Sequence, residues 1–284
     1  MSKIAFVTDS TSYIPDHFCH ELNIHIVPQV LIWGEETFED GVDILPDQFY
    51  ARLAKAKIMP STSQVSVPNM QKAFQGLASQ GFDVVGIFIS AKLSGTMQSA
   101  VHGREALGTA AEKVTLIDSS STAMALGFQV LAAARAARDG AGLADVVSIA
   151  EKARDHTGVF FAVDTLEFLH RGGRIGGAQR FIGTALNMKP LLQLRDGRVE
   201  PIERIRTRGK ALERIVELVG EQTRGKSPVR LATLHANAEA EASNLLEAAS
   251  SRMNPVESIL TAVSPAVGTH AGPGTIGLAY MAGM

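Results

Sequence analysis

One repeating pattern constrains this chain more than any motif. Apolar runs of four to six residues break off into hydroxyl or acidic residues and then give way to a helical pattern. Ile4–Val7 runs into Thr8-Asp9-Ser10-Thr11, and Val84–Ile89 into Ser90 and then Leu93-Ser94-Gly95-Thr96. Val114–Ile117 runs into Asp118-Ser119-Ser120-Ser121, and Val159–Val163 into Asp164-Thr165. Runs of this length, rich in Val, Ile and Phe, read as strands buried on both faces. The polar residues after them read as helix starts. The spacing predicts an Ala-rich helix over Met124–Arg138, stopped near Gly140, and another over Leu143–His156. Strands alternating with helices predict an α/β fold with a parallel sheet in the first half.

The second half is patterned differently. Gly172-Gly173 and Gly176-Gly177 interrupt the chain before a helix predicted over Ala178–Met188. Leu191–Arg195 and Val199–Ile205 flank Asp196-Gly197, a hairpin turn signal. Helices are predicted over Leu212–Val219 and Glu239–Ser250, and strands over Val229–His235 and Ile259–Val263. A chain of 284 residues is long for one core and comfortable for two. The expected architecture is a two-lobed α/β protein: a parallel-sheet N-terminal domain over residues 1–160 and a smaller α/β C-terminal domain over 161–284.

Composition narrows the function classes. The hydrophobic share of 45% and charged share of 20% describe a globular chain, and a net charge of -2 gives no footprint for nucleic acid. The single cysteine, Cys19, cannot form an intramolecular disulfide, which suits a reducing compartment. The opening residues resemble neither a signal peptide nor a membrane span. A cytoplasmic protein is the expectation.

In an open α/β sheet, ligands bind beyond the carboxyl ends of the strands. Ser10, Ser119 and Ser120 stand there but read as helix caps. Ser94-Gly95-Thr96 reads as an anion cradle: the glycine admits close approach and the helix after it presents free N–H groups. Pro60-Ser61-Thr62-Ser63-Gln64 is a second hydroxyl cluster in a predicted loop, and His270 sits among glycines in Gly268-Thr269-His270-Ala271-Gly272-Pro273-Gly274. Asp9, Asp118 and Asp164 could converge on a metal, yet each also suits capping, so no metal or cofactor is expected.

Two textual matches fail on context. Gly220–Ser227 fits a P-loop pattern, but a helical pattern precedes it and Pro228 follows, where that motif needs a strand before and a helix after. Gly272–Gly277 fits G-x-G-x-x-G, but too little chain remains for a dinucleotide-binding unit. No nucleophile elbow, H-E-x-x-H or C-x-x-C is present. A rival reading is a small phosphotransfer or hydrolase enzyme using Asp9 and Ser94. Residues 167–214 hold eleven Lys or Arg against five Asp or Glu, which reads as a docking face for an acidic partner or an anionic membrane surface.

At these residues the chain resembles the DegV family of bacterial fatty-acid-binding proteins, over nearly its whole length. The likeness is carried by Phe6-Val7-Thr8-Asp9-Ser10-Thr11, Thr62-Ser63-Gln64 and Leu93-Ser94-Gly95-Thr96-Met97-Gln98-Ser99-Ala100. It continues through Asp164-Thr165-Leu166-Glu167-Phe168-Leu169, Arg171-Gly172-Gly173-Arg174-Ile175 and Lys189-Pro190-Leu191-Leu192 to His270-Ala271-Gly272-Pro273-Gly274. It departs at Val65 and Val67, where that family often has proline. The resemblance implies a long-chain fatty acid between two lobes, its carboxylate on Thr62, Ser94 and His270, with Ser63, Gly95 and Thr96 beside them. It implies a carrier without catalysis which, in family members of the FakB type, presents its cargo to a separate fatty acid kinase that makes acyl phosphate for phospholipid synthesis. Arg171 and Arg174, with Arg206 further on, are expected at the partner surface. Burying roughly fourteen methylenes at about 0.8 kcal/mol each sets an upper limit near 11 kcal/mol for the tail. Phe161, Phe168, Phe181, Ile182, Leu186, Met188 and Leu192 are the expected tail walls.

Overall fold

The computed structural model describes residues 3–183 and 188–284. The first half supplies strands β1 (Lys3–Asp9), β2 (Ile24–Val27), β3 (Val30–Trp33), β4 (Glu36–Glu39), β5 (Ser61–Ser63), β6 (Phe82–Phe88) and β7 (Val114–Asp118). The apolar runs read from the sequence become β1, β6 and β7. With β2 they form an all-parallel sheet in the order β2-β1-β6-β7. Successive connections leave β1 and β6 in opposite directions, so the sheet's switch point lies between their carboxyl ends. Those ends carry Asp9 and the loop from Ile89 to Ser94. Short β3, β4 and β5 form a separate antiparallel sheet that holds Thr62 and Ser63 on its edge.

The second half supplies β8 (Thr157–Ala162), β9 (Lys189–Arg195), β10 (Arg198–Ile205), β11 (Val229–His235), β12 (Glu257–Ala262) and β13 (Ile276–Ala282). They form one mixed sheet in the order β10-β9-β8-β13-β11-β12, antiparallel except between β11 and β12. The hairpin β9–β10 turns at Asp196-Gly197, both at positive φ (51° and 76°), as a tight hairpin turn requires. Residue 160, where the sequence pattern divides the chain, falls inside β8.

Helix Ala123–Arg138 explains its own composition. It packs on β1 and β6 of one sheet and on β8, β11 and β13 of the other. Residues 123–131 are all buried, so small alanines and an apolar circumference are needed on every side. A single apolar cluster runs through it, from Phe6, Val85 and Ile87 to Ala232, Leu234 and Met281. The outer face of the second sheet is covered by helices Arg208–Thr223 and Glu239–Met253. No described helix is long and apolar enough to cross a membrane.

Over the described part of Ala178–Met188 the predicted helix is not α-helical. Gly176–Phe181 makes a 3₁₀ segment, bounded by Gly176 and Gly183 at positive φ. Residues 184–187, Leu186 included, lie outside the described residues. The P-loop-like Gly220–Ser227 begins inside a helix that ends at Thr223, and Gly272–Gly277 leads into β13. Neither has the strand-to-helix context its pattern demands.

Candidate functional site

Three segments far apart in sequence meet where the lobes face each other. The loop after β6 brings Ser94, β5 brings Thr62 and Ser63, and helix Pro265–Ala271 brings His270; all four line one cavity. The Thr62 Oγ1 and His270 Nε2 are 2.7 Å apart. The Thr-Ser-Gln and Ser-Gly-Thr motifs touch directly, because the Gln64 amide lies over Gly95. A Cβ added at Gly95 would meet Gln64 Cδ at 3.1 Å. Ser66 caps the next helix by accepting from Asn69 N at 3.2 Å, with Pro68 in the first turn. The departure at Val65 places a fully buried side chain in the core below.

Gly95 and Thr96, expected beside the ligand, are not among the cavity walls. Thr96 is wholly buried, with its hydroxyl 2.9 Å from Ser94 Oγ and accepting from Gln29 Nε2 at 2.8 Å. Gln29, which the sequence pattern does not single out, lines the cavity beside them. Its backbone N donates to Ser10 Oγ at 3.0 Å, Ser10 donates to Asp40 Oδ2 at 2.6 Å, and Asp40 Oδ1 accepts from Ala266 N at 3.0 Å. A continuous polar chain therefore ties the Ser94 turn to the helix that carries His270. Burial pushes the Asp40 carboxyl up, and the donated bonds partly offset that.

Arg174 is expected from the sequence at a partner surface. It faces the cavity, where Nε donates to Leu93 O at 3.0 Å and Nη1 to Gly172 O at 2.6 Å. Its charge lies close enough to His270 to join burial in lowering the imidazole to about 4. His270 is therefore neutral near pH 7, and its buried Nδ1 has no partner. Gly172 packs on this ring, where an added methyl would overlap Nδ1.

The rest of the cavity is mainly apolar. Ile89, Leu93, Val159, Phe161, Leu234 and Val263 are among its walls. The volume open to the centres of water-sized spheres is about 110 Å³. One water needs about 10–15 Å³ on that measure, so the space suits a file of several methylene-sized groups rather than a lone ion. Of the expected tail walls among the described residues, only Phe161 lines it. Phe168 packs against Gly272, and Leu192 is closed into the core. Phe181, Ile182 and Met188 border a separate depression next to Asp164. Strand alternation decides this: Val159 and Phe161 point to the cavity while Phe160 joins the opposite core.

The carboxylates do not converge. Asp9 is fully buried; Oδ1 accepts from Thr11 N and Oγ1 at 3.1 and 2.7 Å, and Oδ2 from Ile89 N at 2.8 Å. It is not among the cavity walls, so the enzyme reading based on Asp9 and Ser94 lacks an accessible base. Asp118 accepts from Ser120 N at 2.8 Å, and Asp164 pairs with Lys189 at 2.6 Å and Arg208 at 3.2 Å. Among the described residues no His, Cys, Asp and Glu cluster could hold a metal ion.

Pairing also consumes much of the basic segment. Arg171 binds Glu167 at 2.5 Å, Arg214 holds Glu203 at 2.7 Å and Glu217 at 2.9 Å, and Arg208 holds Glu241. Arg195, Arg198 and Arg206 stay exposed, without an ion pair among the described residues.

The cavity thus joins the polar groups of Thr62, Ser94, His270 and Arg174 to mainly apolar walls. A family model for DegV, a family of uncharacterised proteins, matches residues 3–283. A DegV domain-containing protein of Halalkalibacterium halodurans is 35% identical over 283 residues, 99% of each chain. Protein DegV of Bacillus subtilis is 34% identical over 279 residues, covering 98% of this chain and 99% of its own. Among solved structures, a fatty-acid-binding DegV family protein from Thermus thermophilus superposes with a TM-score of 0.91 at 32% identity, over 99% of this chain and 100% of that one. The Bacillus subtilis DegV structure, described as a fatty acid binding protein, gives 0.90 at 33% identity over the same shares. The chain belongs to the DegV family.

Proposed function

We propose that this protein is a cytoplasmic carrier of a long-chain fatty acid. Thr62, Ser94 and His270, joined by Arg174, hold the carboxylate, and the tail fills the apolar cavity between the lobes. The observation that carries this reading is that three hydroxyl or imidazole groups and one guanidinium line a single, mainly apolar cavity. A carboxylate taken from water must be paired and hydrogen-bonded or it protonates. The carrier has no chemical step of its own. It presents the acid to a separate fatty acid kinase for acyl-phosphate formation in phospholipid synthesis, or exchanges it at an anionic membrane surface. Arg171 and Arg206 serve the encounter, supported by their exposure and by the acid-poor composition around them.

The test is direct. The purified protein is denatured and extracted with organic solvent, and the released lipid is identified by mass spectrometry. Delipidated protein is then titrated with a fatty acid and with its methyl ester. Copurified fatty acid and strong preference for the free acid are expected. No lipid and no uptake, or equal binding of the ester, would refute the reading.

A further inference from the structure

Asp40 is buried to 1% exposure and is not a wall of the ligand cavity. A buried carboxylate persists only where its oxygens are hydrogen-bonded. Here both are: Oδ2 accepts from Ser10 Oγ at 2.6 Å and Oδ1 from Ala266 N at 3.0 Å. Neither partner is a cation. Buried charge is a poor source of stability, and its better attested use is to fix one arrangement of the chain.

The two bonds lead to opposite halves of the anchor. Asp9, not Ser10, caps the 3₁₀ turn after β1, since its carboxylate accepts from Thr11 N. Ser10 is thereby free to bridge, donating to Asp40 and accepting from Gln29 N at 3.0 Å. Asp40 N in turn donates to Gln29 O at 2.9 Å, so the backbone of Gln29 is held on both sides. From there the Gln29 amide donates to Thr96 at 2.8 Å, and the Thr96 hydroxyl meets Ser94 Oγ at 2.9 Å. The other bond spans 226 residues to reach Ala266. Ala266 and His270 stand at i and i+4 of helix Pro265–Ala271, on one face of it, and both line the cavity.

We propose that Asp40 is the positioning residue of the fatty-acid site: without touching the ligand, it fixes the Ser94 half of the carboxylate anchor relative to the His270 half. This role rests on the fatty-acid reading above and adds a residue to it. A carboxylate held by donors from separate segments needs all of them aligned at once, and a shift of either half weakens a bond. Asp40 sets that alignment before the ligand arrives, which lowers the ordering cost of binding.

Three variants test it. Asp40→Ala removes both bonds. Asp40→Asn keeps the shape and can accept from Ala266 while its amide donates to Ser10. Ser10→Ala cuts only the Ser94 arm. Each delipidated variant is titrated with palmitic acid and with methyl palmitate, alone and combined with Ser94→Ala. Ligand-free His270 ring resonances are followed by NMR, with thermal unfolding as the folding control.

Asp40→Ala should bind the acid about tenfold more weakly, the worth of one or two ordinary hydrogen bonds, and the ester nearly as before. Asp40→Asn should regain most of that loss. Combined with Ser94→Ala, the loss should fall short of the product of the single losses by about twofold or more, as for residues of one network. The His270 resonances should move in Asp40→Ala and stay in Ser10→Ala. Equal losses of acid and ester, fully additive losses, or unmoved His270 signals in Asp40→Ala would reduce Asp40 to a group that only stabilises the fold, and the role would be wrong. Should Asp40→Ala fail to fold, Ser10→Ala decides: about threefold weaker acid binding upholds the role, and unchanged binding overturns it. If the natural protein takes up no acid, the fatty-acid reading itself fails and this role with it. Natural uptake that survives intact in every variant sinks the role of Asp40 alone.

Discussion

The Thr62 hydroxyl and the His270 Nε2 stand 2.7 Å apart, a contact that joins β5 to helix Pro265–Ala271. Because the imidazole is neutral, only one ring nitrogen carries hydrogen. Placing it on Nε2 makes His270 donate to Thr62 and frees the threonine hydrogen for a ligand oxygen. Nδ1 is then a bare lone pair, which suits the positive charge of Arg174 nearby.

Thr62→Val and Ser94→Ala should each weaken fatty-acid binding by about 1–3 kcal/mol, the cost of leaving a desolvated charged acceptor short of a donor. The methyl ester should lose much less, since it carries no charge there. Isothermal titration of both ligands checks this. Thermal stability of the ligand-free variants should stay close to natural.

His270 makes ligand-free stability depend on pH in a stated direction. Its pKa is about 4 when folded, against 6.5 for the free side chain. Between those values the unfolded chain takes a proton that the folded ring refuses. Stability contributed by the neutral ring is thus full above pH 6.5 and lost as pH falls toward 4, by about 3 kcal/mol across the window. Denaturant titrations of the natural protein and His270→Asn at pH 7 and near pH 4.5 should show the difference between them shrinking at the lower pH.

Gly172→Ala should displace the imidazole that rests on it. The φ of Gly172 is -75°, so the added methyl is opposed by crowding rather than by backbone conformation. Overpacking of this kind costs about 1–3 kcal/mol. Fatty-acid affinity should drop, and the chemical shifts and titration of His270 should change by NMR. An unaltered His270 resonance would contradict the packing described.

The arginines should divide by function. Arg174→Gln should reduce both equilibrium binding of the acid and its phosphorylation by a partner kinase. Arg171→Glu and Arg206→Glu should leave binding near natural but slow phosphorylation most at low salt, where surface charge steers encounters best. Binding and coupled turnover, measured on the same proteins at several salt concentrations, separate the two groups.

Sequence patterning locates β1, β6, β7 and β11 and the helices over 123–138 and 143–156, because each is either a buried apolar run or a sustained helical period. The strands that build the anchor are harder to see. β5 is Ser-Thr-Ser, three polar residues held at a sheet edge by backbone bonds to β3, so its side chains give no strand signal. Thr62, Ser94 and His270 stand out through motifs, but their cavity walls depend on which face of β8 looks inward, a fact of tertiary packing. Arg174 reads as one more charge beside Arg171. Only the path of the chain after Phe168 aims it inward. Gln29 carries no local signal because its partner, Thr96, lies 67 residues away.

The order of strands in the second sheet bears on how the protein is made. β13 lies between β8 and β11 yet follows both in the chain. During vectorial synthesis these partners emerge with apolar edges open and wait for a strand still inside the ribosome. His270 emerges in the same late stretch, just ahead of β13. The waiting intermediate, with its unpaired edges, is where aggregation and chaperone capture should concentrate.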